Sequence, residues 1–343
     1  TLDTLNSLAG AYLAAGKWDL AIDLLEQVHA VHAKEQGADH VNTLSALNNL
    51  ALAYKVAGRY SEAVKRYEQA RAAVVRKLGP EHPGALKTLN NLAQVYFELK
   101  QFSKSIELFE QVRPVQTTRL GADHPDTLNT LNNLASAYQA VGKLPQAIEM
   151  LELAHAGSVK TLGAENPETL VVLNNLANAN AVVGNLPKSV QILEQIRPIQ
   201  VKTLGFDHPS TLTTLNNLAL SYHDLGKLPQ AIELLEQVRS ISIKKFGIDH
   251  PNALGVLGNL GKAYCDARLG DKAATTLTEF VDGQRRRLAK DELRFASMLG
   301  QVAQDLIQCD QPAAAERMLR EALSIRERIE PDAWTTFNSM SVL

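Results

Sequence analysis

Residues 131–135 read LNNLA, and this five-residue string returns every 42 residues along the chain. Identical copies lie at 47–51, 89–93, 173–177 and 215–219, and degenerate copies lie at 5–9, 257–261 and 299–303. The same step is kept over all eight copies in a chain of 343 residues. Such a period indicates stacked structural repeats that share one continuous core.

Each repeat has the pattern of two helices joined by a tight turn. In the fourth repeat, four apolar residues are spaced i, i+3, i+4 and i+7, which makes one stripe of an amphipathic helix: Leu131, Leu134, Ala135 and Tyr138. Gly142 follows where a helix stop in the left-handed conformation is expected. Pro145 suits the first turn of a second helix, because the missing N–H has no partner there. The sequence therefore predicts an all-α fold of about eight helix–turn–helix repeats.

The chain is expected to be one array without separate domains. The predicted units are 1–40, 41–82, 83–124, 125–166, 167–208, 209–250, 251–292 and 293–333, with a partial ninth unit over 334–343. End repeats normally carry a polar outer face. Because the chain starts and stops inside a repeat, we expect it to be a fragment of a longer protein.

The pattern L-A-x-x-Y, followed by Gly and then Ala, resembles the tetratricopeptide repeat. With Gly-x-Asp-His-Pro at 121–125, 205–209 and 247–251, the 42-residue variant resembles the repeats of kinesin light chains over nearly the whole chain. The resemblance implies a right-handed superhelical solenoid. It also implies a non-enzymatic scaffold or adaptor that binds an extended peptide, or a partner's surface, in a concave groove lined by the first helices.

One asparagine of each repeat is predicted to face that groove. On a helical wheel at roughly 100° per residue, Asn133 points away from the apolar stripe. We call it and its counterparts the amide ladder: Asn49, Asn91, Asn133, Asn175, Asn217 and Asn259. An amide both donates and accepts hydrogen bonds, which suits the backbone of an extended peptide, and the resemblance implies the same role. The alternative is that duplication has copied amides that only bridge neighbouring first helices.

Ligand specificity is expected from groove positions that differ between repeats. We predict that these residues contribute to peptide binding: Gln94, Phe97, Asn129, Asn178 and His223. The groove lacks a cluster of Lys and Arg, so strongly acidic ligands are not favoured.

Composition and charge exclude several other classes of function. The net charge of −2 gives no sign of the excess of basic residues expected of a protein that binds nucleic acid. No apolar run is long enough to span a membrane. Cys265 and Cys309 have no paired-motif spacing, so we expect inert thiols in a reducing compartment and a cytoplasmic protein.

The Asp-His pairs of the connecting loops, such as Asp123 and His124, are too far apart to share a metal, and we predict that they cap the next helix. We expect no catalytic residue, metal or cofactor.

The end of the chain allows a second interpretation. Residues 317–343 resemble the repeat region behind bacterial serine/threonine kinase domains, notably those of planctomycete-like genomes. This resemblance implies a C-terminal regulatory or substrate-docking region of a kinase whose catalytic domain lies outside this chain.

Overall fold

The computed structural model describes residues 1–331, which form sixteen α-helices and no β-strand. The chain divides into two compact units, unit 1 over Thr1–Ala179 and unit 2 over Asn180–Leu343. Unit 1 holds α1 (Leu2–Ala14), α2 (Trp18–Gln36), α3 (Val41–Val56), α4 (Tyr60–Leu78), α5 (Pro83–Glu98), α6 (Phe102–Arg119), α7 (Pro125–Ala140) and α8 (Leu144–Leu162). The boundary between the units falls within α9 (Pro167–Val182). Unit 2 continues with α10 (Leu186–Leu204), α11 (Pro209–Asp224), α12 (Leu228–Phe246), α13 (Pro251–Asp266), α14 (Gly270–Arg287), α15 (Glu292–Gln308) and α16 (Pro312–Ile329).

The predicted all-α repeat architecture is confirmed. Odd-numbered helices are the first helices of the repeats and even-numbered helices are the second. Within each unit, consecutive helices pack side by side, and the predicted stripe of Leu131, Leu134 and Ala135 is buried. The predicted partial ninth unit at 334–343, and residues 332–343 of the kinase-like segment at 317–343, lie outside the described residues.

The turn inside each repeat depends on one left-handed residue. Gly142 has φ +76°, as expected of a glycine that ends a helix. Lys100, Arg268 and Asp310 take the same position in other repeats with φ between 57° and 59°, so a side chain is tolerated there.

The connecting loops cap the next first helix, as predicted. Five histidines accept a hydrogen bond through Nδ1 from the backbone N–H two residues later, at 3.0–3.2 Å: His40, His82, His124, His208 and His250. The Asp before the histidine pairs with a cation of the following second helix, as Asp207 does with Lys245 at 2.8 Å. In residues 1–331 no group of three or more His, Cys, Asp or Glu is placed to hold a metal ion.

In five repeats, a tyrosine of the first helix joins the repeat to the preceding one. The hydroxyl donates to a Glu that lies 28 residues earlier, over 2.7 Å in Tyr54–Glu26 and 2.9 Å in Tyr96–Glu68. The same bond joins Tyr138 to Glu110, Tyr222 to Glu194 and Tyr264 to Glu236. Asn180, which replaces the tyrosine in the fifth repeat, instead accepts from Nδ2 of Asn185 at 3.3 Å.

The expectation of two unpaired thiols is wrong. Cys265 of α13 and Cys309, at the end of α15, form a disulfide, and their Cα atoms are 4.7 Å apart. The two residues are separated by 44 positions, which is one repeat and two residues. Because equivalent positions of stacked repeats are neighbours in space, this separation brings the two cysteines together even though they form no local motif.

Candidate functional site

The amide ladder is more buried than the helical wheel predicts. Only Asn49 is exposed, and the other five side chains are half-buried. Nδ2 of Asn175 donates to Oδ1 of Asn132 at 2.8 Å in unit 1, and Nδ2 of Asn259 donates to Oδ1 of Asn216 at 3.0 Å in unit 2. Each of these bonds joins a ladder amide to the asparagine that comes just before the ladder position in the preceding repeat. The ladder therefore bridges neighbouring first helices at these two steps.

Three of the predicted residues come together at one pocket in unit 1. Gln94 and Phe97 of α5 line it together with Asn133 of α7. Its volume is about 170 Å³, and its other walls are Lys55, Glu98, Phe109 and Ser136. Phe109, which belongs to the second helix α6 and is 1% exposed, lies below the first helices. We call this cavity the α3–α5–α7 pocket.

The walls of this pocket are apolar inside and polar at the rim. Phe97 packs edge-on against Phe102, with ring centroids 5.3 Å apart. At the rim, Nζ of Lys55 donates to Oε1 of Gln94. Burial lowers the pKa of Lys55, and the nearby carboxylate of Glu98 partly opposes that shift. The rim therefore offers amides and one pair of opposite charges, with no excess of either sign.

Asn133 is held in place within its own helix. Its Nδ2 donates to Oδ1 of Asn129 at 2.7 Å. Asn129 is itself exposed and lines a second cleft of about 350 Å³, with Asn132 and Val171 among its walls. A cleft of about 240 Å³ with equivalent lining residues recurs in unit 2 beside Asn216. Since this cleft recurs with the repeat, it offers less specificity than the α3–α5–α7 pocket.

A cavity of about 560 Å³, larger than the pocket and the two clefts described above, lies elsewhere in unit 1, against α4, α5 and α6. It contains none of the predicted residues. Its acidic side chains already have partners, since Glu68 accepts from Tyr96 and Glu81 pairs with Arg119. We interpret this cavity as a cleft between repeats.

The remaining predicted residues do not gather into a site. Asn178 is exposed on α9, and Asn217 has a bonded partner. In unit 2, the ring of His223 lies between two carboxylates, with Nε2 2.7 Å from Oδ2 of Asp266 and Nδ1 3.0 Å from Oδ1 of Asp224. Its side chain is only 13% exposed, so the predicted ligand contact at His223 would require this pairing to open.

Sequence reasoning missed Phe109 as part of the pocket. It occupies a position at which other second helices carry Leu25, Tyr67, Leu151, Leu193 and Leu235, so it reads as an ordinary core residue. Only Phe97, which lies twelve residues earlier at the end of α5 and lines the same pocket, distinguishes the third repeat.

Comparison with known proteins identifies the repeats. A tetratricopeptide repeat model matches residues 1–74, 46–118, 87–158, 126–200, 168–244 and 210–284, and a second model of the same description matches 295–332. A Podosopora anserina putative kinesin light chain with nearly identical TPR-like repeats is 38% identical, with 59% of this chain and 96% of that chain covered and a TM-score of 0.53. No curated protein matches the chain.

Two more distant structures show the fold alone. BtubC (BKLC) from P. vanneervenii is 16% identical, with 73% of this chain and 94% of that chain covered and a TM-score of 0.54. The apo form of the quorum sensor NprR from B. thuringiensis is 14% identical, with 93% of this chain and 87% of that chain covered and a TM-score of 0.64. In the described part of the chain, none of the helices is long and apolar enough to cross a membrane.

Proposed function

The chain belongs to the tetratricopeptide repeat family, and on that premise we propose that it is a non-enzymatic scaffold that binds an extended peptide segment of a partner protein across the first helices of unit 1. The observation that carries the proposal is the α3–α5–α7 pocket. It is the place where residues that differ between repeats, Gln94 and Phe97, meet a ladder amide, Asn133.

The size of the pocket favours a single side chain over a small-molecule ligand. Sites for small molecules and cofactors typically enclose roughly 300–1,000 Å³, whereas this pocket encloses about 170 Å³. Its aromatic floor suits an apolar side chain of the bound segment. The amides of Gln94 and Asn133 at the rim can donate to and accept from the peptide backbone beside it.

The charge of the rim restricts the ligand further. Lys55 and Glu98 are both at the pocket, so a run of acidic or basic residues would gain from one and be repelled by the other. We infer that the anchoring residue is apolar and that the flanking segment carries little net charge. Neither nucleic acid nor a membrane surface fits this requirement.

The test is a selection followed by a matched pair of variants. A peptide is first selected from a random display library against the whole chain, and its affinity is measured by calorimetry. Ser136→Leu fills the pocket with a residue that the scaffold already holds at this position in Leu52 and Leu220. Lys262→Leu introduces the same residue at the equivalent position of unit 2.

We expect Ser136→Leu to weaken binding of the selected peptide by at least about tenfold, about 1.4 kcal/mol, and Lys262→Leu to leave it unchanged. Equal affinities for the wild type and Ser136→Leu would show that the pocket does not bind the peptide.

The alternative, a regulatory or docking region of a bacterial serine/threonine kinase, rests on residues 317–343 alone. The sequence that precedes Thr1 in the parent gene decides it, because a kinase domain there would place this array behind a catalytic domain.

A further inference from the structure

The last two described repeats of unit 2 contain both cysteines of the chain. Cys265, in α13, and Cys309, at the end of α15, are 6% and 7% exposed, and their Cα separation of 4.7 Å is within the range that disulfides adopt. We propose that this pair is a reversible disulfide site that locks the eighth repeat onto the seventh. It is independent of the peptide site proposed for unit 1.

A glycine makes room for this approach. Gly270 begins α14, and a Cβ atom added there would lie 2.9 Å from the backbone oxygen of Cys309 and 2.5 Å from Nε2 of Gln311. Every earlier repeat carries a bulky residue at this position: Trp18, Tyr60, Phe102, Leu144, Leu186 and Leu228. The seventh repeat therefore departs from the pattern at the place where the backbone of Cys309 comes close.

The eighth repeat packs less closely on the seventh than the other repeats of unit 2 pack on their neighbours. Of the consecutive helices in unit 2, α14 and α15 pack together least closely. The connection at 288–291 lacks the Gly-x-Asp-His-Pro sequence of the regular loops, and Asp291 replaces histidine as the cap of α15. A covalent bond between α13 and the end of α15 joins the two repeats directly and does not depend on the packing of α14 against α15.

Each sulfur atom lies near a backbone acceptor. Sγ of Cys265 is 3.4 Å from the backbone oxygen of Asp305, and Sγ of Cys309 is 3.6 Å from that of Leu306. When reduction breaks the bond and the two sulfurs move apart, each thiol therefore has a carbonyl oxygen close enough to accept its hydrogen.

The chemistry is thiol–disulfide exchange with a low-molecular-weight disulfide, for example that of glutathione. One cysteine thiolate attacks a sulfur of the small disulfide, which releases one small thiol and leaves a mixed disulfide. The second cysteine thiolate then attacks the protein sulfur of that mixed disulfide and releases the second small thiol. Two protein thiols are oxidised, and one small disulfide is reduced to two thiols.

The expected consequence is local. The bond closes a loop of 44 residues, and loop-closure entropy predicts slower opening of the eighth repeat by as much as about 10²–10³-fold. Helices α11 and α12 lie outside the loop. Their exchange rates should be the same in both states.

The experiment compares the full chain after equilibration with oxidised glutathione and with a reducing agent. Non-reducing peptide mass spectrometry should find the peptides of Cys265 and Cys309 cross-linked only in the oxidised sample. Amide hydrogen exchange should then be slower in α15 and α16 of that sample and unchanged in α11 and α12.

Two variants supply matched controls. Cys265→Ala and Cys309→Ala install residues already present at these positions in Ala181 and Ala267, and each should exchange at the reduced rate under both conditions. Gly270→Leu restores the residue of earlier repeats and should lower the yield of the cross-link. A wild-type chain that stays uncross-linked in oxidised glutathione, or that cross-links with no change of exchange in α15 and α16, overturns the proposal.

Discussion

The third and sixth repeats carry different residues at one equivalent position and use it in opposite ways. In unit 1, Phe97 lines an open pocket on the first helices. In unit 2, its counterpart His223 is held between the carboxylates of Asp224 and Asp266. The residue 43 positions later differs as well, Ala140 after Phe97 and Asp266 after His223. Ala140 is too short to pair with the aromatic ring, which stays half-buried at the pocket, whereas the carboxylate of Asp266 reaches the imidazole of the preceding repeat. One scaffold therefore provides open or closed surfaces according to its non-recurring residues.

The largest effect that tests this difference is on peptide binding. Phe97→Gln replaces the ring with the residue that the next repeat carries at Gln139. Aromatic anchors commonly contribute about 2 kcal/mol or more, so we expect the selected peptide to bind roughly 30-fold or more weakly, as measured by calorimetry. His223→Gln is the control in unit 2 and should bind like the wild type. Loss of binding in His223→Gln alone would assign the site to the other unit.

The tyrosine–glutamate bonds should behave alike in both units, because they belong to the recurring framework. Burial, helped by a hydrogen bond to Glu110, raises the pKa of Tyr138 from 10.0 to about 12. Burial and Glu194 raise the pKa of Tyr222 from 10.0 to about 12 as well. A raised pKa means that the folded state favours the neutral phenol. This stabilisation is therefore fully present below about pH 10 and is lost as the pH rises toward 12.

Urea unfolding between pH 7 and pH 11 tests this expectation. Tyr138→Phe and Tyr222→Phe should each lower the free energy of unfolding at pH 7 by about 1 kcal/mol, since each removes a hydrogen bond to a carboxylate that is partly open to solvent. Both variants should also lose less stability than the wild type above pH 10. Profiles that stay parallel to the wild type over the whole range would contradict the proposed ionisation.

The recurring features could be predicted from the sequence because they need only a period and a local pattern. The helix pairs, the stop at Gly142 and the histidine caps all depend on residues close together in the chain. The pocket and the disulfide could not be predicted in this way. Phe109 lines the pocket from the second helix α6, and the backbone of Cys309 lies against Gly270 of the preceding repeat. Both depend on contacts between neighbouring repeats, and the spacing of apolar residues within one helix does not predict those contacts.

The histidine caps provide a smaller effect that is also shared by the units. In each cap, Nδ1 of the imidazole accepts a hydrogen bond from a backbone N–H that has no partner within the helix. His124→Ala in unit 1 and His208→Ala in unit 2 should therefore each cost about 1 kcal/mol at pH 8. Thermal unfolding of both variants beside the wild type measures this loss.

The chain contains its own control for the caps. Asn166 caps the fifth repeat through Oδ1, which accepts from the N–H of Glu168 at 2.9 Å. Replacing all five capping histidines with Asn should therefore preserve stability at pH 8. An Asn-capped chain that is destabilised as much as the alanine variants would show that the caps do not act through the accepting side-chain atom.

The smallest effect separates the two interpretations of the amide ladder. Asn49 is exposed on α3, and because Asn is a poorer helix former than Ala, Asn49→Ala should stabilise the chain by about 0.5 kcal/mol. Asn175→Ala and Asn259→Ala gain the same helix propensity but each lose a bond to the preceding repeat, worth about 1 kcal/mol. Their net cost should be about 0.5 kcal/mol in either unit, measured by urea unfolding.

Asn133→Ala should additionally weaken binding of the selected peptide, since Asn133 lines the pocket, whereas Asn259→Ala should not. If all four variants change stability alone, the ladder serves only to join the repeats, and the ligand contacts of unit 1 must come from Phe97 and its non-recurring neighbours.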